Sequence, residues 1–130
     1  MPRVEAKMKH HEPCLTAEAL GIEAWEREEL IALWPRLLAE TAPLDMRRAV
    51  SACGSIGCIG GHIALAHGIS VIGSRRYVQG QERLAELFFP DHTIDFRHPG
   101  WRATGPQAAH AVLNFLTTGR ADWNRVMAVA

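Results

Sequence analysis

Between Cys53 and His62 the chain reads CGSIGCIGGH, four glycines in ten residues. Glycine costs about 1 kcal/mol per position in a helix relative to alanine, so a helix here needs a packing or functional reason. Laid on a helix over 54–66, Gly57, Gly61 and either Gly60 or Ala64 share one side at four-residue spacing. Small residues so placed let a second helix approach closely. Ile56, Ile59 and Ile63 form the adjoining apolar ridge, and His67-Gly68 supplies the stop. The segment therefore predicts a glycine-rich central helix.

The rest of the chain predicts helices around it. Thr16 caps a short turn over 17–20, ended by Gly21. Over 22–39, Trp25, Leu30, Leu33, Trp34, Leu37 and Leu38 follow three-four spacing, while Glu23, Glu26, Glu28 and Glu29 point to water. Pro35 predicts a kink or break after Trp34. Asp45 is placed to cap a short piece through Val50, and 69–73 reads as extended because it is β-branched and glycine-bounded. A helix is expected over 81–89, stopped by Pro90, followed by an irregular link over 90–103 whose Ile94, Phe96 and Trp101 tuck onto the core.

Thr104-Gly105-Pro106-Gln107 carries a capping box with proline in the first turn, and Gly119 ends that helix. Asp122 starts a last turn through Val126. No hairpin pattern interrupts this order. The expectation is an all-α, compact single-domain bundle of about five helices over 15–130, preceded by a mobile arm over 1–14. A chain of 130 residues is long enough to bury a core without disulfides.

Three cysteines, an odd number, and no export signal predict free thiols and a cytoplasmic protein. No run approaches the length of a membrane span. Cys58 and His62 stand at i, i+4, a spacing that can place two ligands on one zinc ion, with Cys53 joining from before the helix. Cys14, His10, His11 or His110 would have to complete the set, and no C-x-x-C knuckle is present. Alternatively, Cys53 at a helix start is a nucleophile with lowered pKa, served by His62, His98 or His110 and by Asp91 or Asp95. Free cysteines are most often small buried hydrophobes, and that reading requires no cofactor.

Zero formal charge gives no global field toward nucleic acid or an anionic membrane, and direct nucleic-acid binding is not expected. The charge is uneven: residues 1–40 hold eight acids against five bases, and 41–130 hold six against nine. Twelve of the fourteen bases are arginine, whose planar fork pairs with carboxylate or phosphate. Arg47-Arg48 and Arg75-Arg76 are candidate contacts, against the plainer reading of a solvated surface. With no cofactor loop, carboxylate pair or ordered triad in view, the chain reads as a non-enzymatic interaction protein. Its candidate partner contacts are Arg75, Arg76, Glu26, Glu29 and Trp101, although tryptophan is more often core.

Leu44-Asp45-Met46, then Cys53-Gly54-Ser55 with Cys58 and Gly61-His62, resembles the C-G-T-x-x-C-x-A-G-W/H pattern of a widespread family of small bacterial and phage proteins. Leu87-Phe88-Phe89-Pro90, Gln107-Ala108-Ala109 and Thr118-Gly119-Arg120-Ala121-Asp122-Trp123 resemble its later landmarks, so the likeness spans about 44–124. Ser55 replaces the usual threonine and Gly60 the usual alanine. The resemblance implies a shared fold rather than a reaction. Its phage and mobile-element setting implies host-takeover or anti-defence roles, including inhibition of a CRISPR effector.

Overall fold

The computed structural model describes residues 14–91 and 96–129. The expected mobile arm, except for Cys14, and the inward packing of Ile94 lie outside these residues. Among them the fold is all-α: α1 (Ala17–Leu20), α2 (Ala24–Leu38), α3 (Ile59–Ala66), α4 (Val71–Gln79), α5 (Ala85–Phe88), α6 (Gly105–Thr118) and α7 (Trp123–Val126), with a 3₁₀ turn at Pro99–Arg102. The two longest helices, α2 and α6, pack on each other and organise the core. Leu30, Leu33 and Leu37 of α2 are buried with Ala108, Ala111, Val112, Phe115 and Leu116 of α6. Leu38, expected on the buried stripe of α2, is exposed instead.

Local chemistry sets several boundaries. Thr16 Oγ1 accepts from Ala19 N at 3.1 Å, and Gly21 closes α1 with φ 71°. At α6, Thr104 Oγ1 accepts from Gln107 N while Gln107 Oε1 accepts from Thr104 N, closing the capping box. Gly119 ends α6 in the left-handed region. Asp122 stands at the N-cap of α7 without a side-chain capping bond. That helix is held instead by Trp123, whose indole donates to Leu87 O at 3.0 Å.

The helix α2 runs through Pro35 to Leu38 without the expected break. Proline forfeits only its own bond to the preceding turn. The ladder resumes at Ala39 N, which donates to Pro35 O at 3.0 Å. Buried leucines on both sides of Pro35 keep the two halves on the same core.

The central glycine segment departs most from expectation. α3 begins at Ile59, not at residue 54, and Cys58 is its N-cap, with Sγ accepting from Gly61 N. Residues 44–58 form a loop instead of two helical pieces. Asp45 Oδ1 accepts from Arg47 N at 3.0 Å, an Asx turn that competes with helix. The loop is cross-tied by Asp45 N to Gly57 O, Ser51 N to Ile56 O and Cys58 N to Arg48 O. Gly57 and Gly61 both face the carbonyl oxygen of Ala49, and a Cβ at either would collide with it. Gly60 instead leaves room for the Phe88 ring and Val78. The close approach is real, but at Gly57 and Gly61 the visitor is loop backbone rather than a second helix.

Two further elements differ. Residues 69–73 are not extended: Ser70 Oγ accepts from Gly73 N at 3.0 Å and starts α4. The helix expected over 81–89 is confined to the single turn α5. Among the described residues, no helix is long and apolar enough to cross a membrane.

Candidate functional site

The cysteine–histidine constellation does not converge. Cys58 is buried, and burial pushes its thiol up to about 11. His62 is half-buried, with Nε2 on the carbonyl oxygen of Pro43 at 2.5 Å. Burial holds its pKa below the usual histidine value, against the Pro43 bond, with the Arg36 charge adding to the depression. Cys53 lies out in the loop, exposed, with Sγ between the hydroxyls of Ser51 and Ser55. The i, i+4 spacing puts Cys58 and His62 on one face only if both lie within the helix; as the cap, Cys58 turns back onto the amide of Gly61 instead. Among the described residues, no group of three or more His, Cys, Asp or Glu side chains is placed to hold a metal ion.

Cys53 is nevertheless the most acidic of the three thiols. Hydrogen bonds from Ser51 and then Ser55 lower its pKa to about 7. Cys14 shifts the other way, raised by burial against the nearby Arg27 charge. His98, one of the histidines proposed to serve Cys53, is committed elsewhere. Its Nδ1 accepts from Gly100 N, which leaves Nε2–H to donate to Asn124 Oδ1 at 2.6 Å.

Two expected partner contacts are interior. Glu26 is buried, not water-facing: one carboxylate oxygen accepts from Glu23 N at 2.7 Å and the other from the Tyr77 hydroxyl. Burial, then the Glu26 bond and charge, raise the Tyr77 pKa. Tyr77 also stands in a row of rings running from His67 through Trp25 to Phe88. Trp101 is 6% exposed and packs against Phe89 and Phe96. In this fold neither Glu26 nor Trp101 offers an open surface. Glu29 is half-buried on α2 and Arg76 is exposed on α4.

The arginines gather more of the surface. Arg47 and Arg48 engage the two oxygens of Asp45 through their Nε atoms, at 3.3 and 3.2 Å. Burial would raise the Asp45 carboxyl, but bonds from Arg47 and the charges of both arginines outweigh it and hold the pKa below its ordinary value. Arg75 reaches across from α4 and donates from Nε to Val50 O at 3.3 Å. Three adjoining cavities surround this cluster, of about 440, 440 and 370 Å³, and Arg47 lines all of them.

The first of these cavities is apolar, with Met46, Val78 and Phe89 among its walls. The second brings Arg47, Arg48 and Arg75 together with Phe96. The third adds Ile56 and Trp101. Both Ile56 and Phe96 are exposed large hydrophobics. The arginine pairs were visible in the sequence, but their union with Met46 and Phe96 was not, because it depends on the loop over 44–58 folding across α4. Compared with family models, with curated proteins and with solved structures, this chain has no match.

Proposed function

We propose that this chain is a non-enzymatic interaction protein that docks a protein surface, free or within a nucleoprotein complex, through the concave face around Arg47, Arg48 and Arg75. The observation that carries this reading is the position of Arg47 on three adjoining cavities, beside exposed Phe96 and Ile56. Arginine and aromatic side chains supply large contact area at low ordering cost, and interfaces favour them. One carboxylate, Asp45, is shared between two guanidiniums. Their remaining N–H groups suit acidic side chains on a partner. The anti-defence setting implied by the motif resemblance makes a CRISPR effector the first partner to try. Affinity capture from extracts of the source organism and of a target strain tests the reading. A partner retained by the unaltered chain and lost with Arg48→Glu/Arg75→Glu supports it; retention by both, or by neither, contradicts it.

A second reading rests on Cys53, the exposed cysteine of the three, whose lowered pKa suits a reactive thiol. Alkylation at neutral pH that singles out Cys53 supports it, and equal slow labelling of Cys53 and Cys14 removes it.

A further inference from the structure

Three arginines from two elements line one cavity of about 440 Å³: Arg47 and Arg48 from the loop over 44–58, and Arg75 from α4. Each guanidinium is tied through Nε to another wall of that cavity. Arg47 and Arg48 engage the two oxygens of Asp45, and Arg75 donates to Val50 O. These ties hold the charged heads at the cavity. Among the described residues, no hydrogen bond takes up the terminal N–H groups of Arg47, Arg48 or Arg75.

Asp45 is the one carboxylate among the described residues that line this cavity. Three guanidiniums less that carboxylate leave an excess of two positive charges. In a concave space with low-dielectric walls, such an excess concentrates the field on an anion. A phosphate monoester carries close to two negative charges at neutral pH, and its oxygens match guanidinium forks in pairs. A carboxylate brings a single charge and leaves part of the cluster unanswered.

The neighbouring cavity, also about 440 Å³, shares Arg47, Arg48 and Phe96 with the first and continues to apolar walls at Met46, Val78 and Phe89. Asp91 brings a carboxylate to that side and disfavours an acidic head there, so the head belongs with Arg75. Sites for small molecules combine apolar walls with a few placed polar groups in this way.

We propose that the two cavities together bind a phosphate monoester with an apolar body. The phosphate sits among Arg47, Arg48 and Arg75, and the body passes Phe96 toward Met46, Val78 and Phe89. The site uses arginines of the docking face but needs no protein partner. It is tested on the isolated chain, so either reading can fail alone.

Calorimetric titration in phosphate-free, low-salt buffer, with phenyl phosphate, inorganic phosphate and phenylacetate as probes, tests the proposal. Phenyl phosphate binds saturably with one site per chain. Inorganic phosphate, which lacks the apolar body, binds about tenfold more weakly. Phenylacetate, which keeps the body but carries one charge, is also weaker by about tenfold. Arg48→Gln/Arg75→Gln weakens phenyl phosphate by about tenfold or more. Arg76→Gln removes an exposed charge of α4 that lines neither cavity, and leaves binding unchanged. No saturable binding of phenyl phosphate at millimolar concentration overturns the proposal. So does an equal loss with Arg76→Gln, or phenylacetate or inorganic phosphate binding as tightly as phenyl phosphate. The three probes are compared on the unaltered chain, so the test survives if the double variant fails to fold.

Discussion

The carbonyl oxygen of Ala49 occupies the notch that the missing side chain of Gly61 leaves on α3. This contact seats the loop over 44–58 on the helix and so fixes Arg47 and Arg48 where the cavities meet. Gly61→Ala puts a methyl group onto backbone that cannot rotate away. The expected loss is about 3 kcal/mol or more, at the upper end for overpacking. Gly68→Ala is the control: its added Cβ meets open space, and only the positive φ of 94° opposes it. It should cost about 1–2 kcal/mol. Urea unfolding midpoints of the two variants check the order.

Tyr77→Phe keeps the ring row with Trp25 and Phe88 but removes the hydroxyl that donates to buried Glu26. The carboxylate keeps the Glu23 amide and loses its other partner. A destabilisation of about 1–3 kcal/mol is expected, since a buried charged acceptor is left short of a donor. Chemical denaturation at neutral pH measures it.

Asp45 ties Arg47 and Arg48, and its folded pKa is depressed. A group of that kind adds stability above its unfolded pKa and loses it as pH falls through the folded value. Wild type should exceed Asp45→Asn by about 1 kcal/mol or less at pH 7, because the arginines are solvent-exposed and the pairs are screened. The gap should be intact above pH 4 and close progressively below the ordinary value of 3.8. Unfolding of both proteins at pH 7, 5 and 3 follows this directly.

The three thiols should label in the order of their environments. Cys53, exposed and shifted to about 7, reacts first with iodoacetamide, with half-maximal rate near pH 7. Cys14 follows, and buried Cys58, raised to about 11, reacts only on unfolding. Replacing Ser51 and Ser55 by alanine moves the Cys53 profile upward, because their hydroxyls stabilise the thiolate. Peptide mapping after timed alkylation resolves the three sites.

The sequence made local features readable wherever a residue acts on its own neighbours. Thr16, Thr104 with Gln107, and Gly119 cap the helices that their chemistry announces. The apolar spacing of α6 identifies its buried face because that helix is regular throughout. Long-range partners were the hidden part. Glu26 looks solvent-facing by spacing, and only Tyr77, far along the chain, explains its burial. Ser70 was overshadowed by the β-branched residues after it, though its hydroxyl starts α4. The glycines signalled close packing without saying what comes close, because a loop carbonyl leaves no periodic trace. The arginine–aromatic face was obscured for the same reason: its residues come from two loops and a helix.

Site-specific photo-crosslinking tests the docking account most directly. A benzophenone amino acid is placed at Phe96, on the concave face, and separately at Leu38, which is exposed but lines none of the three cavities. After irradiation in extract, the account predicts one discrete protein adduct from position 96, abolished by Arg48→Glu/Arg75→Glu, and no such adduct from position 38. Adducts of equal yield from both positions, or an adduct at 96 indifferent to the charge reversal, would contradict it.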